Sequence, residues 1–244
     1  MYTNDSARDG SSTGVRMRRF DADLNPLGRA VLINTYTHDD QNDPYVTVYS
    51  TGEIMVTWYD DWGGYQQEEP LYQSYYNVCG KIFSADGTVR VDDFEVSGLL
   101  DGNTQSDADL TPLDDNALVV WQGYGTDVGT GATDSDAIWG RELDRDGTVV
   151  MEQFRIIEYT PGDQCQPVAV ALAGGRFAVA WAGDRNGDGD GISARVFNAE
   201  GIPGSTQIAI DPDTYSTDRL PTSWRILVDR LQRLEPSGAS GDDG

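Results

Sequence analysis

One phrase recurs three times along this chain, and a recurrence of that length constrains the fold more than composition does. Asp40-Gln41-Asn42-Asp43-Pro44 leads to Gly52 and ends at Trp58; Asp163-Gln164-Cys165-Gln166-Pro167 leads to Gly175 and ends at Trp181, aligned without a gap at an offset of 123 residues. A middle copy runs from Gln105 to Trp121 and is one residue shorter, so Trp58, Trp121 and Trp181 are equivalent and stand 63 and 60 residues apart. A second phrase, an aromatic residue or Leu before a small polar turn, occurs at Phe20-Asp21-Ala22-Asp23, Phe83-Ser84-Ala85-Asp86-Gly87, Leu143-Asp144-Arg145-Asp146-Gly147 and Phe197-Asn198-Ala199-Glu200-Gly201. Three times, 24 residues separate its first residue from the proline of the next unit: Phe20 to Pro44, Leu143 to Pro167, Phe197 to Pro221. Pro221 therefore opens a fourth unit.

Within a unit, short segments alternate apolar with polar residues, as half-buried strands require. The third copy shows four: Val168 to Leu172, Arg176 to Ala182, Ile192 to Phe197 and Thr206 to Ile210. Gly174-Gly175 and Ala199-Glu200-Gly201 supply turns that accept positive φ. Four antiparallel strands per repeat describe a propeller blade. The predicted fold is thus all-β, a β-propeller-like array of four-stranded antiparallel blades with three full repeats and a composite or incomplete fourth. Trp58, Trp121 and Trp181 then end the second strands, and a core role as wedges between blades is preferred to a binding role.

The expected division is a flexible N-terminus over 1–13, one domain over 14–235 and a disordered tail over 236–244. Repeats fall near 44–103, 104–166 and 167–220, with the ends 14–43 and 221–235 forming the fourth. Gly14 to Phe20 and Arg29 to Asn34 would supply its third and fourth strands, and pairing the two ends would remove exposed sheet edges. Thr222 to Leu234 fits this poorly, since its apolar residues recur at three and four and read as an amphipathic helix. That leaves an incomplete blade, a larger propeller or a ring shared by two chains.

Charge excludes some partners. The chain of 244 residues carries 41 acidic against 17 basic residues, a net of -24, which repels nucleic acid and anionic membranes. No apolar run is long enough for membrane insertion, and the N-terminus lacks an apolar signal core. The acids fit a solvated surface or a divalent-cation role. Cys79 and Cys165 leave one disulfide or two thiols open.

Residues 162–203, GDQCQPVAVALAGGRFAVAWAGDRNGDGDGISARVFNAEGIP, resemble a repeat common in large secreted bacterial proteins that also carry hemolysin-type calcium-binding repeats. The middle copy is less similar and the first less again. The resemblance implies export, cation binding and adhesion or surface association. The nonapeptide pattern of true hemolysin-type repeats is absent, so no calcium β-roll follows.

Calcium has one clear candidate. Asp184, Asn186, Asp188 and Asp190 alternate with glycines, which lets a tight loop aim several oxygens at a hard cation. The string resembles the DxNxDG opening of EF-hand and integrin-type propeller loops, then departs: Arg195 and Ile192 stand where each would place its closing acid. Asp134 and Asp136 match Asp188 and Asp190 in the middle copy. The first copy carries instead an aromatic loop, Tyr59, Trp62, Tyr65, Tyr72, Tyr75 and Tyr76, with Asp61 among its acids. Rings beside carboxylates suit sugar stacking, a protein contact or packing of the loop on itself.

Catalytic signals are thin. His38, the one histidine, precedes Asp39-Asp40 in a polar turn, so a Ser-His-Asp or Cys-His system has little support. Ser84-Ala85-Asp86-Gly87-Thr88 resembles a sialidase Asp-box without its closing Trp and reads as an ordinary turn. Two carboxylates suffice to cleave a glycosidic bond, although the sequence does not single out the pair. The leading expectation is a non-catalytic extracellular or cell-surface module, held partly by calcium, binding a glycan or protein surface and open to homo-oligomerisation. The alternatives are a glycosidase or lyase acting on polysaccharide through two loop carboxylates, and a subunit of a surface layer or filament.

Overall fold

The computed structural model describes residues 2–5, 13–37, 40–60, 76–98, 104–126, 133–158, 164–183, 191–204 and 206–211, with backbone alone for 2–5, 124–126, 133–136, 209 and 211. Its strands form four antiparallel sheets, each in simple sequential order. Blade I holds β1 (Tyr2–Asp5), β2 (Thr13–Met17) and β3 (Val31–Leu32). Blade II holds β4 (Gln41–Val48), β5 (Ile54–Asp60), β6 (Asn77–Phe83) and β7 (Val89–Glu95). Blade III holds β8 (Gln105–Leu113), β9 (Asn116–Thr126), β10 (Thr133–Asp144) and β11 (Val149–Arg155). Blade IV holds β12 (Gln164–Ala171), β13 (Phe177–Gly183), β14 (Ile192–Phe197) and β15 (Ile208–Asp211).

The chain is therefore a β-propeller-like array, as the repeat predicts, with two corrections of detail. Tyr2–Asp5, within the stretch expected as the flexible N-terminus, pairs with Thr13–Arg16 as the second strand of blade I. Its four residues show no apolar alternation, so only the partner strand, supplying the hydrogen bonds, reveals it. The inner strands also begin three residues before Pro44 and Pro167, at Gln41 and Gln164. Residues 222–234 and the tail lie outside the described residues.

The glutamine at the head of the phrase explains the tryptophan at its end. Trp58, Trp121 and Trp181 are all fully buried, and a buried indole N–H requires an acceptor. Trp121 Nε1 donates to Gln105 Oε1 at 2.7 Å, and Trp181 Nε1 to Gln164 Oε1 at 2.9 Å. In blade II, Trp58 Nε1 meets Asp60 Oδ2 at 3.4 Å while Gln41 Oε1 accepts from Asn34 Nδ2 of blade I at 3.0 Å. Between blades III and IV the wedge is aromatic, with Phe177 stacked on Phe197 at 4.9 Å and Phe154 edge-on to Phe197 at 5.9 Å.

A cation on the third strand of each later blade reaches back to a carbonyl at the end of the blade before it. Lys81 Nζ donates to Ile33 O at 2.9 Å, Arg141 Nη1 to Val96 O at 2.6 Å and Arg195 Nη1 to Ile156 O at 3.1 Å. Lys81 is also paired with Asp92 at 2.7 Å and Asp93 at 2.8 Å, and Arg195 with Glu158. The Cys79 thiol is buried and free, so Cys79 and Cys165 are not bridged.

The second phrase forms the same outer hairpin in every blade. Asp21, Ser84, Asp144 and Asn198 each donate a backbone N–H to the carbonyl four residues on, and Asp86 Oδ1 accepts from Thr88 N, so the Asp-box likeness is an ordinary turn. Blades II to IV place Gly87, Gly147 and Gly201 at positive φ, where blade I has exposed Leu24 at φ 63. A side chain there costs about 1 kcal/mol or more. Leu24→Gly is expected to raise stability by about 1 kcal/mol in denaturant melts; a loss would show that the leucine contributes contacts.

Candidate functional site at the head of the inner strands

The first strands of successive blades lie side by side around the axis, β4 against β8 and β8 against β12. Each begins with the same irregularity. Pairing with the second strand slips between Asn42 and Tyr45, between Ser106 and Asp109, and between Cys165 and Val168. The extra residue puts Asp43 (φ 46), Asp107 (φ 46) and Gln166 (φ 51) in the left-handed region, where non-glycine residues are uncommon. A strained conformation repeated at one end of three inner strands motivates a functional hypothesis.

Two of those three positions carry acids, and a third acid follows at Asp109. Burial raises the Asp107 carboxyl above its ordinary value, and the Asp43 carboxylate adds to the effect. Asp109 is pushed up to about 6, mainly by burial, although its Oδ2 accepts from Ala169 N of blade IV at 2.9 Å. The Tyr45 phenol, 37 % exposed, is raised by burial and then by the charges of Asp109, Asp107 and Asp43. Gln166 N donates to Gln122 Oε1 at 3.0 Å, a second tie from blade IV to blade III. The charges acting on Asp107 and Tyr45 are all carboxylates. Among the described residues no three His, Cys, Asp or Glu groups are placed to hold a metal ion. Carboxyls raised by burial, one of them also by a neighbouring carboxylate, hold a proton that can be passed to a substrate.

Of the residues singled out from sequence, Tyr59 borders this end of the inner strands, since Asn42 pairs with Tyr59. Tyr59 and Tyr76 stack on each other at 4.8 Å and 20°, the self-packing alternative for this pair. Asp61, Trp62, Tyr65, Tyr72 and Tyr75 lie outside the described residues, as do Asp184, Asn186, Asp188, Asp190 and His38. Asp134 and Asp136 fall within β10 rather than in a loop, Asp134 opposite Gly125, because β9 and β10 extend further than the apolar alternation shows. Asp43, Asp107 and Asp109 were absent from the sequence-based candidates. For Asp43 and Asp107 the signal is an acid at one position of the shared phrase in the first two copies, with Gln166 in the third; Asp109 stands where the other copies have Tyr45 and Val168.

No family model matches the chain, and no curated protein matches it. Among solved structures it is similar to a thermostable family-43 glycoside hydrolase, with 12 % identity, TM-score 0.46, and coverage of 78 % of this chain and 63 % of that one. An alpha-L-arabinofuranosidase from Lactobacillus brevis gives 11 % identity, TM-score 0.47 and coverage of 84 % and 68 %. An ulvan lyase of polysaccharide lyase family 25 gives 10 % identity, TM-score 0.41 and coverage of 68 % and 42 %. The chain thus spans less than two thirds of the first of these, and the likenesses concern shape.

The expectation of a non-catalytic binding module is corrected at this point. The solved structures similar to the chain are, by name, enzymes that act on glycans.

Proposed function

We propose that this chain is a glycan-acting enzyme that hydrolyses a glycosidic bond at the heads of its inner strands. The observation that carries this is the pairing of Asp43 and Asp107 at equivalent strained positions of neighbouring inner strands, the second raised by burial and by the first. Asp107, whose carboxyl burial raises above its ordinary value, donates its proton to the glycosidic oxygen. Asp43 takes a proton from the attacking water as the anomeric carbon–oxygen bond breaks. Tyr45 offers a ring face and a hydroxyl to the sugar.

Hydrolysis is favoured over elimination by charge. Elimination from a uronate needs a cation to neutralise the substrate carboxylate, and the groups acting on Asp107 and Tyr45 are all anionic. The substrate is accordingly uncharged at the cleaved residue, and an extracellular or cell-surface setting suits a polymer of this kind.

The chain should release reducing sugar from at least one member of a panel of neutral polysaccharides and aryl glycosides, without the ultraviolet-absorbing double bond that elimination leaves. Asp43→Asn should reduce that rate about 100-fold or more. Unsaturated product would replace hydrolysis by elimination, and full activity in the variant would remove Asp43 from the mechanism.

A further inference from the structure

One junction between blades is open where its counterparts are filled. The outer-turn glycines Gly87, Gly147 and Gly201 each face the blade before them, and Gly147 lies against Val91 and Phe94, Gly201 against Met151. Val91 and Met151 stand eight residues beyond Phe83 and Leu143, which open the turns of their own blades; eight beyond Phe20 is Gly28. Phe94 and Phe154 stand eleven beyond the same residues, and eleven beyond Phe20 is Val31. Blade I thus has a glycine and a valine where blade II has Val91 and Phe94 and blade III has Met151 and Phe154. Nothing lies within 4 Å of the place a Gly28 Cβ would take. The result is a cavity of about 260 Å³ between blades I and II.

The lining is cationic, in a chain of net charge -24. Arg19 takes the place beside Gly87 that apolar side chains hold at the other two junctions, and its Nη1 donates to Ala85 O at 3.1 Å, which holds the guanidinium in place. Arg29, exposed, adds a second guanidinium. Met17, Leu27 and Val31 supply an apolar wall. Asp86 is the acid of the lining; its Oδ1 accepts from Thr88 N and Oγ1, which leaves Oδ2 for a hydroxyl. Two guanidiniums select an anion, and their planar forks match a carboxylate. The apolar wall selects an uncharged face on the same molecule. The cavity lies at the far end of blade II from the strained acids: its turn follows Phe83, which pairs with Ile54, and Ile54 pairs with Val48 at the tail of the strand that carries Asp43 near its head.

We propose that this cavity binds an acidic sugar unit, with the carboxylate on Arg19 and Arg29, a C–H face of the ring on Leu27 and Val31, and a hydroxyl on Asp86. The choice of a sugar rests on the glycan-acting reading; the anion and the apolar face rest on the cavity alone. Since cavity and strained acids lie at opposite ends of β4, the unit held here is not the one cleaved. The site anchors a polymer that carries charged residues beside the neutral one at which it is cut.

Galacturonate, its linear trimer, galactose, isobutyrate and inorganic sulfate, each titrated into the full chain and followed by amide NMR shifts, test this. Galacturonate should saturate with a Kd of about 1–10 mM, the trimer should bind no more weakly, and the other three should bind about tenfold more weakly or worse. Arg29→Gln should weaken galacturonate about tenfold or more. Val31→Phe, which restores the residue of the next two blades, should do the same by filling the cavity. Both positions are exposed, and both variants should keep the parent's melting midpoint and its hydrolysis of neutral glycosides. Absence of saturation, unchanged affinity in both variants, rejection of the trimer, or equal binding of isobutyrate or sulfate overturns the proposal. A chain that binds galacturonate but hydrolyses no glycoside keeps this site and loses the catalytic reading; one that hydrolyses but does not bind loses this site alone.

Discussion

Asp107→Asn is expected to lower kcat/KM by about 10²–10⁴-fold without lowering the melting midpoint, since the amide also avoids the burial cost that raises the carboxyl. The asparagine matches the aspartate in size and tolerates the left-handed region almost equally, so the φ of 46 is kept and only the transferable proton is lost. A proton donor also shapes the alkaline side of the pH–rate profile, which should flatten in the variant. Asp107→Gly provides the contrasting case. It removes the same carboxyl but relieves the backbone, so activity should fall as far while stability rises by about 1 kcal/mol. Activity within about threefold of the parent in Asp107→Asn would rule out proton donation from this position.

Asp109→Asn is expected to stabilise the protein at pH 8 and not at pH 3.5. A carboxyl moved by burial from 3.8 to about 6 corresponds to about 3 kcal/mol. The sign follows from proton binding. Below about pH 4 both folded and unfolded chains hold the proton and the group is neutral in its effect. Between about 4 and 6 the unfolded chain releases the proton first, so stability falls as pH rises, and above about 6 the full cost remains. An amide avoids that cost and can still accept from Ala169 N through its oxygen. A gain of about 2 kcal/mol at pH 8, read in denaturant melts and vanishing in acid, is the expected pattern. A difference of the same size at both pH values would refer the effect to packing.

The architecture was legible because its determinants are periodic. Trp58, Trp121 and Trp181 announce the ends of second strands, the turns at Asp21, Asp86, Asp144 and Asn198 announce the outer hairpins, and Ile192–Phe197 was placed to the residue. The candidate site was not legible, for a reason that lies in the bulges. Reading a strand from sequence relies on side chains alternating between faces, and one inserted residue reverses that parity. Asp43, Asp107 and Asp109 follow such insertions, and no glycine marks the left-handed residue. Asp43 and Asp107 also belong to the recurring phrase, where a residue reads as framework. Asp109 is further concealed by distance: the blade IV amide that binds it lies 60 residues away. Tyr2–Asp5 escaped because a short polar strand is defined by its partner rather than by its own pattern.

The cations that tie blade to blade all point the same way, toward the part of the chain made earlier. Lys81 finds Ile33, Arg141 finds Val96 and Arg195 finds Ile156, each acceptor already synthesised when its donor emerges. During vectorial synthesis each of these three cations therefore meets a waiting carbonyl, and none must be held desolvated in reserve. Circular permutants would break this polarity. A permutant starting at blade II would place Lys81 ahead of its acceptor and leave it to wait for the final segment, so the order of the blades along the gene is itself part of how the protein folds.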